Sequence, residues 1–322
     1  MSASVEVGDI FFIVILSILL ACIIPSNVFV SVVIVRKRLI QNPIWYYILN
    51  LAVCNLVSAS FLIPIMIYAS FDETILDIPW LCTVNGFFMI VLFMVSTTTL
   101  ASISLHKYVN IRKPFSVLSR KDRSSVFICI NWLISIGIAS SPMIGWGHYS
   151  HPVGRKWCVV GANRTLAGLS LLALLVVVGF LIPLGVMLFC YLRIYKNVHK
   201  NVKRIGRLSV TSLSHGTCDK KLIKTVIMIV GIFALCWTPF AVYAIVGISP
   251  LETPVTLGKV ACTCVFLQFA INPIVYSFRH SAFQETFYSY IRANNDSKSD
   301  ISNKEKEKDI VFVIPDVFDT KL

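Results

Sequence analysis

The stretch Leu166–Leu192, LAGLSLLALLVVVGFLIPLGVMLFCYL, decides the fold, because it contains no Asp, Glu, Lys or Arg. A helix needs about 20 apolar residues to cross the hydrocarbon core of a bilayer, and this stretch is long enough. Further charge-free runs of similar length occur along the chain, so the sequence predicts an all-α membrane protein with a bundle of seven transmembrane helices. The other runs are Ile10–Val35, Ile44–Ser70, Leu81–Leu105, Val126–Trp146, Thr225–Ser249 and Val260–Phe278.

The overall composition agrees with a membrane protein. Of the 322 residues, 56% are hydrophobic and 14% are charged, and the mean hydropathy is +0.77. Soluble domains carry about 25% charged residues. The pI of about 9.3 would suit a nucleic-acid-binding protein, but the positive charges lie between the apolar runs and not on one polar domain. We therefore expect no nucleic-acid partner.

Prolines lie inside most of the predicted spans. In a soluble fold they would argue against helices. In a membrane, neighbouring helices and water satisfy the carbonyls that a proline leaves free, so the spans remain helical. The prolines are Pro25, Pro64, Pro142, Pro183, Pro239 and Pro273.

The distribution of positive charge predicts the orientation. Arg36–Arg38 directly follow the first run, so the positive-inside rule places the N-terminus outside the cell. The alternation of the seven spans then leaves only four of the 29 Lys and Arg residues outside: Arg155, Lys156, Arg164 and Lys259. We expect a multi-pass protein of the plasma membrane.

The sequence shows none of the residue patterns that enzymes or transporters use for their chemistry. We find no paired carboxylates, Ser/His/Asp set, Gly-rich phosphate loop or metal cluster, so we expect neither an enzyme nor a metal site. His148 and His151 supply only two ligands between them. A transporter or light-driven pump, the alternative from a different class, needs ionisable groups near the midplane, and the span cores carry none.

Landmark residues in all seven spans give a more specific indication. These landmarks are Asn27; Leu51, Ala52 and Asn55; Cys82 and His106-Lys107-Tyr108; Trp132; Pro183 and Tyr191; Phe233 and Cys236-Trp237-Thr238-Pro239; and Asn272-Pro273-Ile274-Val275-Tyr276. In the order and spacing of these residues the chain resembles the rhodopsin-family (class A) G-protein-coupled receptors over roughly residues 10–290.

The resemblance implies a division of the chain into four parts. Residues 1–9 would be a short extracellular N-terminus and residues 10–278 the seven-helix receptor domain. Residues 279–292 would be a short cytosolic amphipathic eighth helix, and residues 293–322 a disordered cytosolic tail. The basic, Ser/Thr-rich loop Asn197–Lys221 is predicted to be mobile.

A narrower resemblance to the opsins lies in the loop after the fourth span, from Pro142 through Trp146 to Cys158. Opsins bind retinal through a lysine in the seventh helix, and the matching position here is Phe266. A Schiff base requires an amine nucleophile, so we expect no covalent retinal and no other cofactor. We interpret the nearest lysine, Lys259, as a surface residue that reaches towards the polar headgroups.

The family's ligand pocket would be lined by apolar side chains in this chain. Amine receptors hold the ligand with an Asp at the position of Met89, and we expect no carboxylate elsewhere in the outer half of the bundle. The resemblance therefore implies an apolar, uncharged small-molecule ligand. The pocket positions are Met89, Ile90, Phe93, Leu175, Gly179, Trp237, Phe240, Ala241, Cys262 and Phe266.

The resemblance also implies a disulfide between Cys82 and Cys158, on the oxidising side of the membrane. In the same loop, Asn163-Arg164-Thr165 is a glycosylation sequon. The Asp that binds sodium in much of the family is Asn55 here, so we expect a polar water cluster in place of an ion site.

The cytosolic end would carry the switch that activates a heterotrimeric G protein. Lys107 replaces the family's arginine, and we expect it to pair with Asp219 at the start of the sixth helix, more weakly than arginine would. A non-coupling or decoy receptor remains the alternative, because Lys107 departs from the pattern. The switch residues are Lys107, Tyr108, Tyr191, Asp219, Phe233, Trp237, Asn272, Pro273 and Tyr276.

The chain ends in Thr320-Lys321-Leu322. A threonine two residues before a C-terminal leucine fits the pattern that PDZ domains bind by strand addition and carboxylate capture. Matches of three residues are common by chance. A PDZ partner is therefore a hypothesis of low specificity.

Overall fold

The computed structural model describes residues 6–112, 121–152, 154–160, 165–205, 212–248 and 254–277. The Asn163 sequon, the amphipathic helix at 279–292, the tail at 293–322 and the C-terminal PDZ motif lie outside the described residues. For Asp219 and Tyr276 only the helical backbone is described.

Seven long helices form the described structure, as the sequence predicts. All seven contain a segment long and apolar enough to cross a membrane. They are α1 (Val7–Arg36), α2 (Ile44–Phe71), α3 (Pro79–Arg112), α4 (Lys121–Ser140), α5, α6 (Ser212–Ile248) and α7 (Val255–Ser277). Helix α5 consists of Leu166–Val176, a π-helical turn at Val177–Leu181, and Ile182–Ile205.

Two helix ends differ from the sequence prediction. Helix α1 begins at Val7, so it includes the end of the predicted N-terminal head. Helix α4 ends at Ser140, and Pro142 lies in the 3-10 turn Ser141–Ile144. Proline has no N–H to donate, which favours the end of an α-helix over its interior.

The segment that was predicted to be the third cytosolic loop also differs from the prediction. Helix α5 continues to Ile205 and α6 already begins at Ser212. Lys, Arg and Leu have high helix propensity, so these polar extensions remain helical beyond the apolar runs. The predicted loop Asn197–Lys221 is therefore mostly helix.

Helix α3 is the centre of the bundle, with the largest buried share of any span. It packs against α2, α4 and α5, while α1 packs on α2 and α6 on α5. Polar contacts join the remaining neighbours. Asn27 Nδ2 donates to the Phe269 carbonyl at 3.2 Å, which ties α1 to α7, and Asn55 Nδ2 donates to Asn27 Oδ1 at 3.0 Å. Trp132 Nε1 donates to Asn50 Oδ1 at 2.9 Å, which ties α4 to α2.

A small antiparallel hairpin closes one end of the bundle, which we call the outer end. Its strands are β1 (Tyr149–Ser150) and β2 (Val159–Val160). The predicted disulfide is confirmed: Cys82 of α3 is bonded to Cys158, with their Cα atoms 5.4 Å apart. Gly86 allows the Tyr149 ring to lie directly on α3, because any Cβ at this position would collide with the ring.

Candidate functional site

A cavity of about 440 Å³ lies beneath the hairpin, between α3, α5 and α6. Its size is within the range of small-molecule sites, about 300–1,000 Å³. Most of the residues predicted from the family positions do line it. They are Met89, Ile90, Phe93, Leu175, Gly179, Trp237, Phe240 and Ala241. That a ligand binds to them stays a prediction.

Two of the predicted residues, Cys262 and Phe266, do not line the cavity. Both are completely buried within the bundle. The Phe266 ring packs edge-on against Phe93, with centroids 6.0 Å apart, and against Phe269, with centroids 5.8 Å apart. At Phe266 the seventh helix is therefore separated from the cavity by aromatic contacts with α3, whereas Val255 at its start lines the cavity.

The floor of the cavity is an aromatic cluster around Trp237. The Phe93 and Trp237 rings meet edge to face, with centroids 5.5 Å apart, and Phe233 stacks on Trp237 at 6.1 Å. Aromatic pairs of this kind stabilise a structure by more than the burial of their surface alone, because the rings attract each other in defined orientations. The indole N–H donates to Gln268 Oε1 of α7, a partner that the sequence analysis missed. The cluster thus links the cavity floor to α6 and α7.

The π-helical turn of α5 shapes one wall of the cavity. Gly179 and Phe180 both lie in this turn and both line the cavity. Interruptions of this kind often occur at functional sites, because the extra residue changes where the following side chains lie. No sequence signal in Val177–Leu181 distinguishes the turn from ordinary helix.

The roof of the cavity carries polar groups that the sequence analysis did not assign to the pocket. Arg155, Trp157 and Tyr243 all line it. The Arg155 guanidinium carbon lies 5.2 Å from the centroid of the Tyr243 ring, a cation–π contact. The signal that marks Arg155 was its position three residues before Cys158, which the disulfide fixes over the bundle.

A buried ion cluster lies beside the roof and corrects two sequence interpretations. Lys259 Nζ lies 2.7 Å from Asp9 Oδ1, so Lys259 is not a surface residue that reaches towards headgroups. The outer half of the bundle does contain a carboxylate, because Asp9 is within α1 and only 5% exposed. Lys156 Nζ lies 3.5 Å from Asp9 Oδ2 and 2.5 Å from Glu73 Oε1. The cluster thus connects α1, α7 and the loops.

Glu73 anchors the loop on both sides of Arg155. Besides Lys156, its carboxylate accepts a hydrogen bond from the Gly154 N–H at 3.0 Å. Burial alone would raise the pKa of Glu73, but the hydrogen bonds and positive charges of Lys156 and the loop hold that pKa below its usual range. His151 contributes a further anchor, with Nε2 2.6 Å from the Arg155 carbonyl.

The predicted switch residues at the inner end make local contacts. Ser104 Oγ donates to the Tyr191 hydroxyl at 3.1 Å, and Arg112 donates to the Tyr108 hydroxyl at 2.7 Å. Asn272 and Pro273 are buried. The contacts of Asp219 and Tyr276 lie outside the described side chains, so the pairs that they were predicted to form stay predictions. Within the described residues no group of three or more His, Cys, Asp or Glu forms a metal site.

The sequence match to a known family agrees with this architecture. The family described as "7 transmembrane receptor (rhodopsin family)" matches residues 26–276. The chain therefore belongs to the rhodopsin family of seven-transmembrane receptors. The structure is similar to that of squid rhodopsin, with a TM-score of 0.76, 24% sequence identity and 90% of each chain covered. At this identity the similarity shows the fold.

Relatives of more than one kind match the chain at similar levels. It is 26% identical over 291 residues to the Gq-coupled rhodopsin of Mizuhopecten yessoensis, covering 83% of this chain and 56% of that one. It is 24% identical to the short-wave-sensitive opsin Opsin-1 of Danio rerio, covering 90% and 82%. It is 26% identical to the human galanin receptor type 1, covering 84% and 77%.

The chain spans 56% of the length of the Mizuhopecten rhodopsin and 62% of that of the rhodopsin of Lethenteron camtschaticum. Opsins and a galanin receptor thus match almost equally well. The comparisons therefore establish the family and leave the ligand to be argued from the site.

Proposed function

We propose that the protein is a plasma-membrane receptor, with its N-terminus outside, that binds a predominantly apolar small molecule and activates a heterotrimeric G protein. The observation that supports this most is the aromatic cavity above Trp237. A ligand that fills it gains about 25 cal/mol for each Å² of apolar surface that leaves water. The cavity offers an ammonium no carboxylate among its described lining residues, so a monoamine would lose its hydration without compensation.

The contacts of Trp237 suggest how occupancy would reach the inner end. Its ring touches the cavity on one side and stacks on Phe233 on the other. Pro239 lies two residues further along the same helix, where its missing N–H weakens the backbone hydrogen bonding of α6. A ligand that displaces Trp237 would therefore bias the bending of α6. Such a ligand shifts the equilibrium only by its differential affinity for the two conformations.

G-protein activation provides the test. The full-length chain is reconstituted in nanodiscs with purified heterotrimers of each main class, and nucleotide exchange is measured with and without a library of lipophilic compounds that includes retinoids. We expect at least one heterotrimer to respond. The Lys107→Arg variant, which restores the family residue, should respond more strongly to the same compounds. If neither protein activates any heterotrimer, the decoy alternative replaces this proposal.

We also propose that retinal does not bind covalently. No lysine is among the described residues that line the cavity, and the family's lysine position, Phe266, is buried behind Phe93. The two lysines nearest the roof, Lys156 and Lys259, are held by carboxylates. Incubation with 11-cis-retinal followed by borohydride reduction should leave every lysine peptide unmodified. A retinyl adduct on any lysine would contradict the proposal.

A further inference from the structure

The roof of the cavity carries three side chains with hydrogen-bond donors: Arg155, Trp157 and Tyr243. Trp157 is completely buried and Tyr243 is 6% exposed. The tyrosine hydroxyl lies within reach of the Trp157 and Arg155 side chains, but both of these can only donate, so among the described residues no acceptor takes the hydroxyl proton. The Arg155 guanidinium lies over the Tyr243 ring. Buried polar groups in native proteins are nearly always hydrogen-bonded, so this surplus of donors in the wall of a cavity indicates a missing acceptor.

Arg155 differs from the other described basic residues of the roof in its charge balance. Lys156 and Lys259 share the carboxylates of Asp9 and Glu73, whereas among the described residues no carboxylate forms an ion pair with Arg155. Glu73 instead binds Gly154 and Lys156, the residues on either side of Arg155. The guanidinium is therefore positioned at the cavity while its charge is left without a counterion there.

We infer that the ligand is a single-chain amphiphile whose apolar tail fills the aromatic cavity and whose anionic headgroup binds Arg155, with Trp157 and Tyr243 as further donors. This inference rests on the proposed receptor function and revises the expectation of an uncharged ligand. Arginine presents a planar set of donors that matches a carboxylate or a phosphate with two parallel hydrogen bonds. The cavity volume of about 440 Å³ is within the range of sites for one small molecule, which favours a ligand with a single tail.

The surrounding contacts preorganise the headgroup site. The disulfide fixes Cys158, and Glu73 fixes Gly154 and Lys156 on both sides of Arg155. Because these contacts hold the backbone before the ligand arrives, little ordering entropy remains to oppose binding.

Four probes with one tail and different headgroups test the inference: oleic acid, oleyl phosphate, oleyl alcohol and oleylamine. The full-length chain is placed in phosphatidylcholine nanodiscs, which carry no net charge, and the apparent Kd is obtained from ligand-dependent thermal stabilisation. We expect at least one of the two anions to bind about ten- to a hundredfold more tightly than the alcohol, the effect of one or two charge-assisted hydrogen bonds. The comparison of oleic acid with oleyl phosphate distinguishes a carboxylate from a phosphate site.

Variants of the roof separate the headgroup from the tail. Arg155→Gln should abolish the preference for the anions over oleyl alcohol, and Arg155→Lys should retain part of this preference. Arg36→Gln is the matched control, because it makes the same chemical change at an exposed arginine at the inner end of α1. This variant should bind the four probes as the parent does. Equal binding of all four probes, no binding of any, or a preference that survives Arg155→Gln would overturn the inference.

This binding assay contains no G protein, so its outcome is independent of the test of the proposed function. Anion-selective binding without any nucleotide exchange would support the headgroup site and contradict the receptor function. Nucleotide exchange driven by neutral compounds, with no selectivity in the binding assay, would support the receptor function and contradict the headgroup site.

Discussion

Replacing Asp9 with asparagine removes the only negative charge that contacts Lys259 among the described residues, at 2.7 Å, and one of two that contact Lys156. The lysine ammoniums then remain at the closed outer end of the bundle, where the Asp9 and Lys259 side chains are 7% and 13% exposed. Breaking a buried ion pair on one side costs about 3–5 kcal/mol, because it leaves an uncompensated charge.

The cost here should be towards or below the lower end of that range. Lys156 keeps its contact with Glu73, which is one-third exposed, and Lys259 retains some access to water. We expect a loss of about 2–3 kcal/mol. For a domain of this size about 1 kcal/mol changes Tm by roughly 2–4 °C, so Asp9→Asn should lower Tm by about 5–10 °C.

Thermal unfolding of the purified protein, followed by tryptophan fluorescence, measures this loss. Glu6→Gln is the matched control, because Glu6 is exposed in the same segment and its side chain makes no capping hydrogen bond. Replacing Asp9 and Lys259 together, with Asn and Met, removes both members of the pair and should recover most of the Tm. If Asp9→Asn and Glu6→Gln give the same Tm, the cluster does not stabilise the bundle and the reasoning is refuted.

Three further perturbations address the roof and the switch. Gly86→Ala should destabilise the fold by about 1–3 kcal/mol and lower the Tm, because the new Cβ would displace the Tyr149 ring. Gly137→Ala should leave the Tm unchanged, because the space around its Cβ is open. The pKa of Glu73 is lower in the folded state than in the unfolded chain. The ionised carboxylate should therefore stabilise the fold fully above the ordinary glutamate pKa of about 4.3, and this stabilisation should disappear as the pH falls through the pKa of the folded state. We expect the Tm difference between the parent and Glu73→Gln to shrink from about pH 7 to about pH 3. Asp219→Asn should raise basal nucleotide exchange if its carboxylate restrains Lys107, and unchanged basal exchange would contradict the pair.

The seven helices could be predicted because each depends on a local property, a long run of apolar residues without charge. The positions of the helix ends depend less on such a local property. Pro142 lies in a charge-free run, yet α4 ends two residues before it, since the run continues into a 3-10 turn of the same polarity. Apolar composition also does not indicate where α5 ends and α6 begins, because the polar residues at these two ends have good helix propensity outside the membrane.

The walls and the floor of the cavity could be predicted from family positions on regular helices, where side-chain direction follows from the helical repeat. The roof could not, because a loop has no such repeat. Arg155 reaches the cavity only through the disulfide and the Glu73 contacts, which join residues far apart in the chain. The sequence analysis also missed the role of Asp9, because its partner Lys259 is far from it in the sequence.

The distribution of charge separates a receptor from the transporter or pump that the same seven helices would permit. A pump needs ionisable relay groups within the membrane. Away from the Asp9–Lys259 pair at the outer end, several buried polar groups between α1, α2, α3 and α7 are neutral and have no hydrogen-bond partner among the described residues, including Asn55 Oδ1, Ser96 Oγ and Asn272 Nδ2. Neutral, partly unsatisfied groups of this kind suit ordered water, which lets helices adjust against one another without moving a charge. The charges of the described outer end instead cluster around the roof, where they hold the loop over the cavity. This arrangement favours a protein that changes conformation on binding over one that conducts ions.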